Sequence, residues 1–371
     1  MVKEGRLVSL DVFRGITVAA MILVNNPGSW ESVYPPLLHA HWNGCTPTDL
    51  IFPFFLFIVG VSIHFAYHTT HEQGLTKKVL LKIIKRTLVI FGLGIFLAWF
   101  PTFSFEKLLT LRIPGVLQRI SIVFFICSLL YFKTSWLTQI RITILILVGY
   151  FIAMTWIPVP GFGAANLDPG TNLAAWLDRI ILDGHLWAQS KTWDPEGVLS
   201  TLPAIASGMI GMLAGQLFQK VSEPKERIIW LFFIGAILIV IGLGWGMIFP
   251  INKSLWTSSF VLYTGGIGMQ FLAACYWLVD VQGFSRWAKP FTYYGTNAIF
   301  VFVASGLLAK TLIRIKMDEE GKVSLWSYLY QNIYATWLPP KDASLLFAIT
   351  LILFFLVILR QMYKRKIFIK V

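Results

Sequence analysis

The stretch LLHAHWNGCTPTDLIFPFFLFIVGVS, Leu37 to Ser62, decides how the chain is read. Its second half is an apolar run that reaches the roughly 20 residues a bilayer span needs once the residues after it are included. Its first half crowds His39, His41, Trp42, Asn43, Cys45 and Asp49 against the start of that run. Pro47 suits the first turn of a helix with Thr46 as its N-cap. Asp49 falls in the same turn, where its charge complements the helix dipole. Capping accounts for Thr46, Pro47 and Asp49. It does not account for His39, which lies between the apolar Pro35–Leu38 and Trp42 at the lip of a membrane helix.

The rest of the chain has the same character. Hydrophobic residues make up 56% and charged residues 13% of the 371 residues. That charge is about half of what a soluble domain carries. Apolar runs recur, and they predict an all-α polytopic membrane protein of about ten helices near 8–26, 47–68, 77–100, 112–132, 136–157, 199–218, 227–249, 258–280, 287–309 and 343–363. The alternating strand pattern of an outer-membrane barrel is absent. The start MVKEGR leads into an apolar run with no small-residue cleavage site, which predicts an uncleaved first helix and not a signal peptide.

A net charge of +13 does not point to nucleic acid. The basic residues sit at the ends of apolar runs, where they set orientation. Lys3, Arg6, Arg14, the cluster Lys77, Lys78, Lys82, Lys85 and Arg86, and Arg360, Lys364, Arg365, Lys366 and Lys370 fall on one side of a ten-span topology. Both termini are therefore expected in the cytoplasm, with the His39 loop outside. The whole chain, 1–371, reads as one transmembrane domain with a long extracytoplasmic loop at about 158–198, which holds a short helix around Ala174–Leu182. Loops of that length usually have a function. Cys45, Cys127 and Cys275 are far apart and make no CxxC, and no metal-ligand cluster stands out.

Ionisable groups in spans are costly and tend to be functional. Asp11 and Arg14, three apart on the first helix, can pair, and Arg14 is a candidate for an anionic ligand. Asn25 lies about 16 Å further along that helix. Arg112, Gln118 and Arg119 enter the fourth helix, with Asp49, Asp194 or Glu196 as candidate partners for Arg119. Asp194-Pro195-Glu196 opens the sixth helix. Asn252, Lys253 and Trp256 share a short outer loop whose polar groups and aromatic could hold a sugar. Asn297 lies early in the ninth span without an evident structural role. His64, His68 and His71 read as interfacial. No P-loop, GxGxxG, HExxH or GxSxG occurs in a fitting context.

The blocks RLVSLDVFRG, LVN at Leu23–Asn25, HAHWNGCTPTDLIFPFFLFIVG, RIPGVLQR, WIPVPG, DPEG, NKSLW and the late KIF together resemble the heparan-α-glucosaminide N-acetyltransferase family and its bacterial relatives. They come in the family's order and span nearly the whole chain. The animal enzyme is similar but is expected to carry an extra N-terminal extension and span. The resemblance implies acetyl transfer from cytoplasmic acetyl-CoA to the amine of a glucosamine-type sugar across the membrane, in a bacterial inner membrane. It places the catalytic histidine on His39, as base or acetyl carrier, and a companion on Asn25. The first helix also looks like that of wider membrane acyltransferases, whose Arg-x10-His reads here as Arg14-x10-Asn25. Under this reading Arg14, Asp11 and Arg119 serve acetyl-CoA. Asn43, Asp49, Arg112, Glu196, Asn252, Trp256 and Asn297 serve the sugar. No metal is implied. Partners are acetyl-CoA, the amino sugar and the bilayer, without nucleic acid and with a homodimer left open. The rival reading is an amino-sugar permease, which needs no base beside a thioester.

Overall fold

The structure is a computed structural model that describes residues 7–369; Lys3, Arg6 and Lys370 of the orientation pattern lie outside them. Every helix or strand of more than a single bridge among the described residues is helical. The chain runs through α1 (Val8–Asn25), α2 (Ile51–Tyr67), α3 (Lys77–Trp99), α4 (Phe105–Leu109), α5 (Val116–Lys133), α6 (Trp136–Trp156), α7 (Leu173–Ile181), α8 (Thr201–Lys220), α9 (Pro224–Gly246), α10 (Ser258–Tyr276), α11 (Lys289–Thr296), α12 (Ala298–Arg314), α13 (Leu325–Leu329) and α14 (Pro340–Lys364).

Among the described residues, eight helices are long and apolar enough to cross a membrane: α1, α2 with its preceding turn, α5, α6, α8, α9, α10 with its following turn, and α14. The protein is thus an all-helical, multi-pass membrane protein. Of the other two expected spans, α3 has the length, 23 residues, but carries Lys77, Lys78, Lys82, Lys85 and Arg86 in its first half. The other is not straight. The run 287–309 breaks into α11 and α12, bent by 81° at Asn297. Its first part, KPFTYYGTNAIF, is only mildly apolar, which weakens the span without locating the break. Asn297 is buried, its Nδ2 donates to Ile367 O at 3.2 Å and its Oδ1 accepts from Ile369 N at 2.8 Å. The chain's own tail therefore stabilises the bend.

The core is built by α1, α2, α5, α8 and α10, the helices with the largest buried faces among the candidate spans. α2 runs along α8, α10 along α9, α1 along α11 and α3 along α5. The α2–α8 contact is backbone against backbone. A Cβ on Gly60 would stand 1.9 Å from Gly208 O, and one on Gly211 2.0 Å from Phe57 O. Small residues are what let membrane helices approach this closely. α6 and α9 lie at the periphery and turn Leu145, Val240 and Ile241 outward, as lipid-facing helices do. At one end of the bundle the start of α1 meets the end of α10, where Val8 N and Ser9 N donate to Asp280 at 3.3 and 2.9 Å.

At the opposite end, α5 begins at Val116 and not at residue 112, so Arg112 stands free of the helix in the loop before it. The long connection 157–200 folds over this end and holds α7, close to the short helix expected there. His64 is buried, with Nδ1 3.0 Å from the Tyr131 hydroxyl, and is not interfacial. Cys45, Cys127 and Cys275 are all free thiols.

Candidate functional site

His39 stands on the loop between α1 and α2, with its side chain 52% exposed. The helix start below it does more than cap. Thr46 is the N-cap and Pro47 opens a 3-10 turn, Pro47–Leu50, that leads into α2. That turn presents Asp49, which is 1% exposed, toward the loop. Asp49 Oδ1 lies 2.7 Å from His39 Nδ1, while Oδ2 accepts from Ala40 N at 3.0 Å and Thr46 N at 2.9 Å. The carboxylate thus fixes both the loop and the ring. With Nδ1–H committed to Asp49, the lone pair of Nε2 is the imidazole's acceptor.

The third member of the group is Lys253, from the α9–α10 loop. Its Nζ is 3.0 Å from His39 Nδ1, 3.2 Å from Nε2 and 3.7 Å from Asp49 Oδ1. Burial pushes the Lys253 amine below the ordinary lysine range, against the pull of Asp49 and Glu196. The loop is braced from beneath: Asn252 Nδ2 donates to Asn43 Oδ1 at 3.2 Å, Leu255 N to Asn252 Oδ1 at 2.8 Å, and Gly44 N to Ile251 O at 2.7 Å. Asn252 is fully buried, so it is a strut between the two loops; Asn43 is exposed.

A second charged group lies beside the first. Arg112 forks onto Asp194, Nε to Oδ2 at 2.8 Å and Nη2 to Oδ1 at 2.6 Å, and also donates to Glu196. Burial works against its charge, but the two carboxylates more than offset this and hold Arg112 above its usual value. Asp178 on α7 secures the same segment by accepting from Asp194 N at 3.2 Å and Val198 N at 2.9 Å. Burial raises Asp178 to about 6. Around these groups stand Trp42, Trp187 and Trp193, edge to face at 5.2 and 5.8 Å, all half-buried.

Arg119 takes neither Asp49, Asp194 nor Glu196 as a hydrogen-bond partner. Its Nη2 donates to Gly197 O at 3.1 Å and Ser200 Oγ at 2.5 Å, and its guanidinium lies over Trp256 at 5.2 Å. Arg112, one loop earlier, has already claimed the carboxylates. Trp256 is 1% exposed and packs against Phe52 and Phe260, which leaves it no face for a sugar; it forms the floor of the site. Asn25 ends α1, is exposed, and makes no side-chain hydrogen bond among the described residues. Asn297 lies in the bend by the chain's tail, near Gly295 and not near His39.

A cavity of about 780 Å³ runs along α2 from Phe55 onward, and its lining includes none of His39, Asp49 and Lys253. Along α2 it is lined from Phe55, Ile58 and Val59 to Ser62 and Ala66, about 16 Å of helix. Its near end reaches Leu117 in the first turn of α5. Phe55 is only about 9 Å along the chain axis from Asp49. At its far end it holds Asp11, Arg14 and Arg86. Arg14 Nη1 pairs with Asp11 at 3.0 Å and Nη2 donates to Ser62 Oγ at 2.7 Å. Arg86 stacks over Phe124 at 4.6 Å and its buried Nε has no hydrogen-bond partner among the described residues. The cavity is thus cationic at one end and apolar toward the other.

Arg86, Ser62, Trp187 and Trp193 were not among the site residues that the sequence suggested, and Lys253 was read there only as a polar member of a possible sugar loop, not as a neighbour of His39. The NKSLW block carried the only signal for Lys253.

Residues 6–244 match the family model described as heparan-alpha-glucosaminide N-acetyltransferase, catalytic. The mouse protein named heparan-alpha-glucosaminide N-acetyltransferase is 31% identical over 392 residues, covering 90% of this chain and 58% of its own length. The human protein of the same name is 31% identical over 389 residues, covering 89% and 57%. The chain therefore spans a little under three-fifths of the curated relatives it matches. The His39 loop, the α2 start, the Arg112 turn and the cavity walls from α1 to α5 all fall within the matched segment. The chain belongs to the heparan-α-glucosaminide N-acetyltransferase catalytic family.

Proposed function

We propose that this chain is a membrane N-acetyltransferase that moves acetyl from acetyl-CoA, approaching from the cytoplasm at the Arg14 end, to the amine of a glucosamine-type sugar at the extracytoplasmic His39 end. The observation that carries this reading is the His39–Asp49 pair set above a cavity that is cationic at its far end. The family supports the reaction class, and the geometry around His39 supports these residues as its site.

The cavity suits a ligand with phosphates at one end and a slim arm at the other. Arg14 and Arg86 are placed for phosphate oxygens, and the orphaned Arg86 Nε is a donor in want of an acceptor. The apolar stretch from Ser62 to Phe55 leads the arm toward the His39 loop. Acetyl-CoA is the co-substrate this fits, and its thioester is the acetyl source.

An amine attacks a thioester only when unprotonated. His39 Nε2 accepts the amine's proton, with Asp49 holding the ring in the required tautomer. The N–C bond forms, the C–S bond breaks, and the proton returns from His39 to the departing thiolate. Asn25 is the proposed amide donor to the oxyanion. Glu196 and Asp49 give the site an anionic side that attracts a sugar ammonium, and the tryptophans offer faces for the ring. Arg119 belongs to the structural support of this end.

The test is a purified-protein assay with labelled acetyl-CoA and a panel of amino sugars. N-acetylation of glucosamine-type sugars, with none of sugars lacking a free amine, supports the proposal. Failure to acetylate any amine in the panel, with protein that still binds acetyl-CoA, rejects it.

A further inference from the structure

Lys253 holds an amine within reach of His39. A base takes a proton from a nitrogen about 2.6–3.2 Å away, and Lys253 Nζ is 3.2 Å from His39 Nε2 and 3.0 Å from Nδ1. A thioester carbonyl placed for attack by an amine on His39 is therefore also placed for attack by Lys253. The lysine is 20% exposed, and its nearest carboxylate oxygen, Asp49 Oδ1, is 3.7 Å away. Burial favours its neutral, nucleophilic form. Lys191, on the 157–200 connection, is exposed by contrast.

Resting on the acetyltransferase reading, we propose that Lys253 is a self-acetylation site that shuts the enzyme down when no acceptor is present. Lys253 Nζ attacks the acetyl-CoA carbonyl, the Nζ–C bond forms and the C–S bond breaks. The Nζ proton passes to His39 Nε2 and from there to the CoA thiolate. The product is a neutral acetyl-lysine lodged against His39. An amide does not donate its acetyl group to another amine, so the modified chain is a dead end and not an intermediate. An acceptor sugar protects by taking the place beside Nε2. The product also differs from an acetyl-histidine: the amide survives hydroxylamine, whereas an acetyl-imidazole does not.

The experiment incubates the purified full-length protein in detergent with isotope-labelled acetyl-CoA and no sugar, then maps acetyl groups by peptide mass. Transfer to glucosamine is measured on a parallel sample. One hydroxylamine-stable acetyl on Lys253, approaching one per chain, is expected. It should be suppressed by glucosamine, at least tenfold weaker in His39→Ala, and accompanied by proportional loss of transfer. Lys253→Arg should keep through the same incubation whatever turnover it begins with. Glucosamine acetylated while Lys253 stays unlabelled overturns the inference and leaves the proposed function standing. Labelling of Lys253 no faster than Lys191, or equally in His39→Ala, also overturns it. Neither product in any sample rejects both.

Discussion

In the proposed mechanism His39 and Asn25 carry the chemistry, and their removal should be felt differently from the removal of a strut. His39→Ala should lower turnover by about 10²–10⁴, the range of one general base, while acetyl-CoA binding persists. Asn25→Ala should lower kcat by about 10²–10³, the cost of one oxyanion donor. Steady-state kinetics check both: a raised KM for acetyl-CoA with unchanged kcat would remove Asn25 from the chemistry and leave it a binding role. His39 was legible from its block, whereas Asp49 was read as a helix-start residue or a partner for Arg119, and its pairing with His39 shows only in the fold. The approach of Lys253 to His39 was not legible either, because it spans 214 residues, and no local spacing encodes that distance. The sugar role read for Trp256 rested on its loop alone, and only the packing of Phe52, Phe260 and Arg119 shows it as a floor.

At the level of elements, the loop segment 194–198 depends on Asp178. Its folded value of about 6 lies above the 3.8 of a free aspartate. Between those values the native state keeps a proton that the unfolded chain has lost, so stability falls as pH rises and the loss is complete above about 6. The full loss is roughly 3 kcal/mol. Tm measured from pH 4 to 7 should decline in the wild type, and Asp178→Asn should remove part of that decline; parallel curves would show that Asp178 does not titrate as described. The bend between α11 and α12 gives a second case. Asn297→Ala leaves Ile367 O and Ile369 N without their partner, a cost of about 1–3 kcal/mol. Because Phe368 and Ile369 line the cavity, KM for acetyl-CoA should rise several-fold with kcat little changed. An unaltered KM would detach the tail from the donor site. Most spans were legible because apolar length is a local property. The broken one was legible only as a weak span, mildly apolar before Asn297, because the break is stabilised by residues 70 or more positions later.

The whole molecule combines a charged group at one end of the bundle, an arginine-lined cavity end at the other, and about 16 Å of cavity lining between them along α2. The order of the blocks made the family legible before any geometry, whereas the cavity was not, because its walls come from α1, α2, α3, α5, α11 and α12 and exist only once these pack. The basic residues of α3 and the tail are the ground for proposing that the Arg14 end faces the cytoplasm, and that proposed orientation decides where each substrate must enter. Acetyl-CoA confined to the Lys77–Arg86 side of sealed, oriented vesicles, with glucosamine confined to the His39 side, tests the central claim most directly. The account predicts N-acetylglucosamine on the His39 side, no product when the two substrates are exchanged, and none with His39→Ala. Glucosamine crossing the membrane unmodified, with no acetylated product on either side, would contradict it.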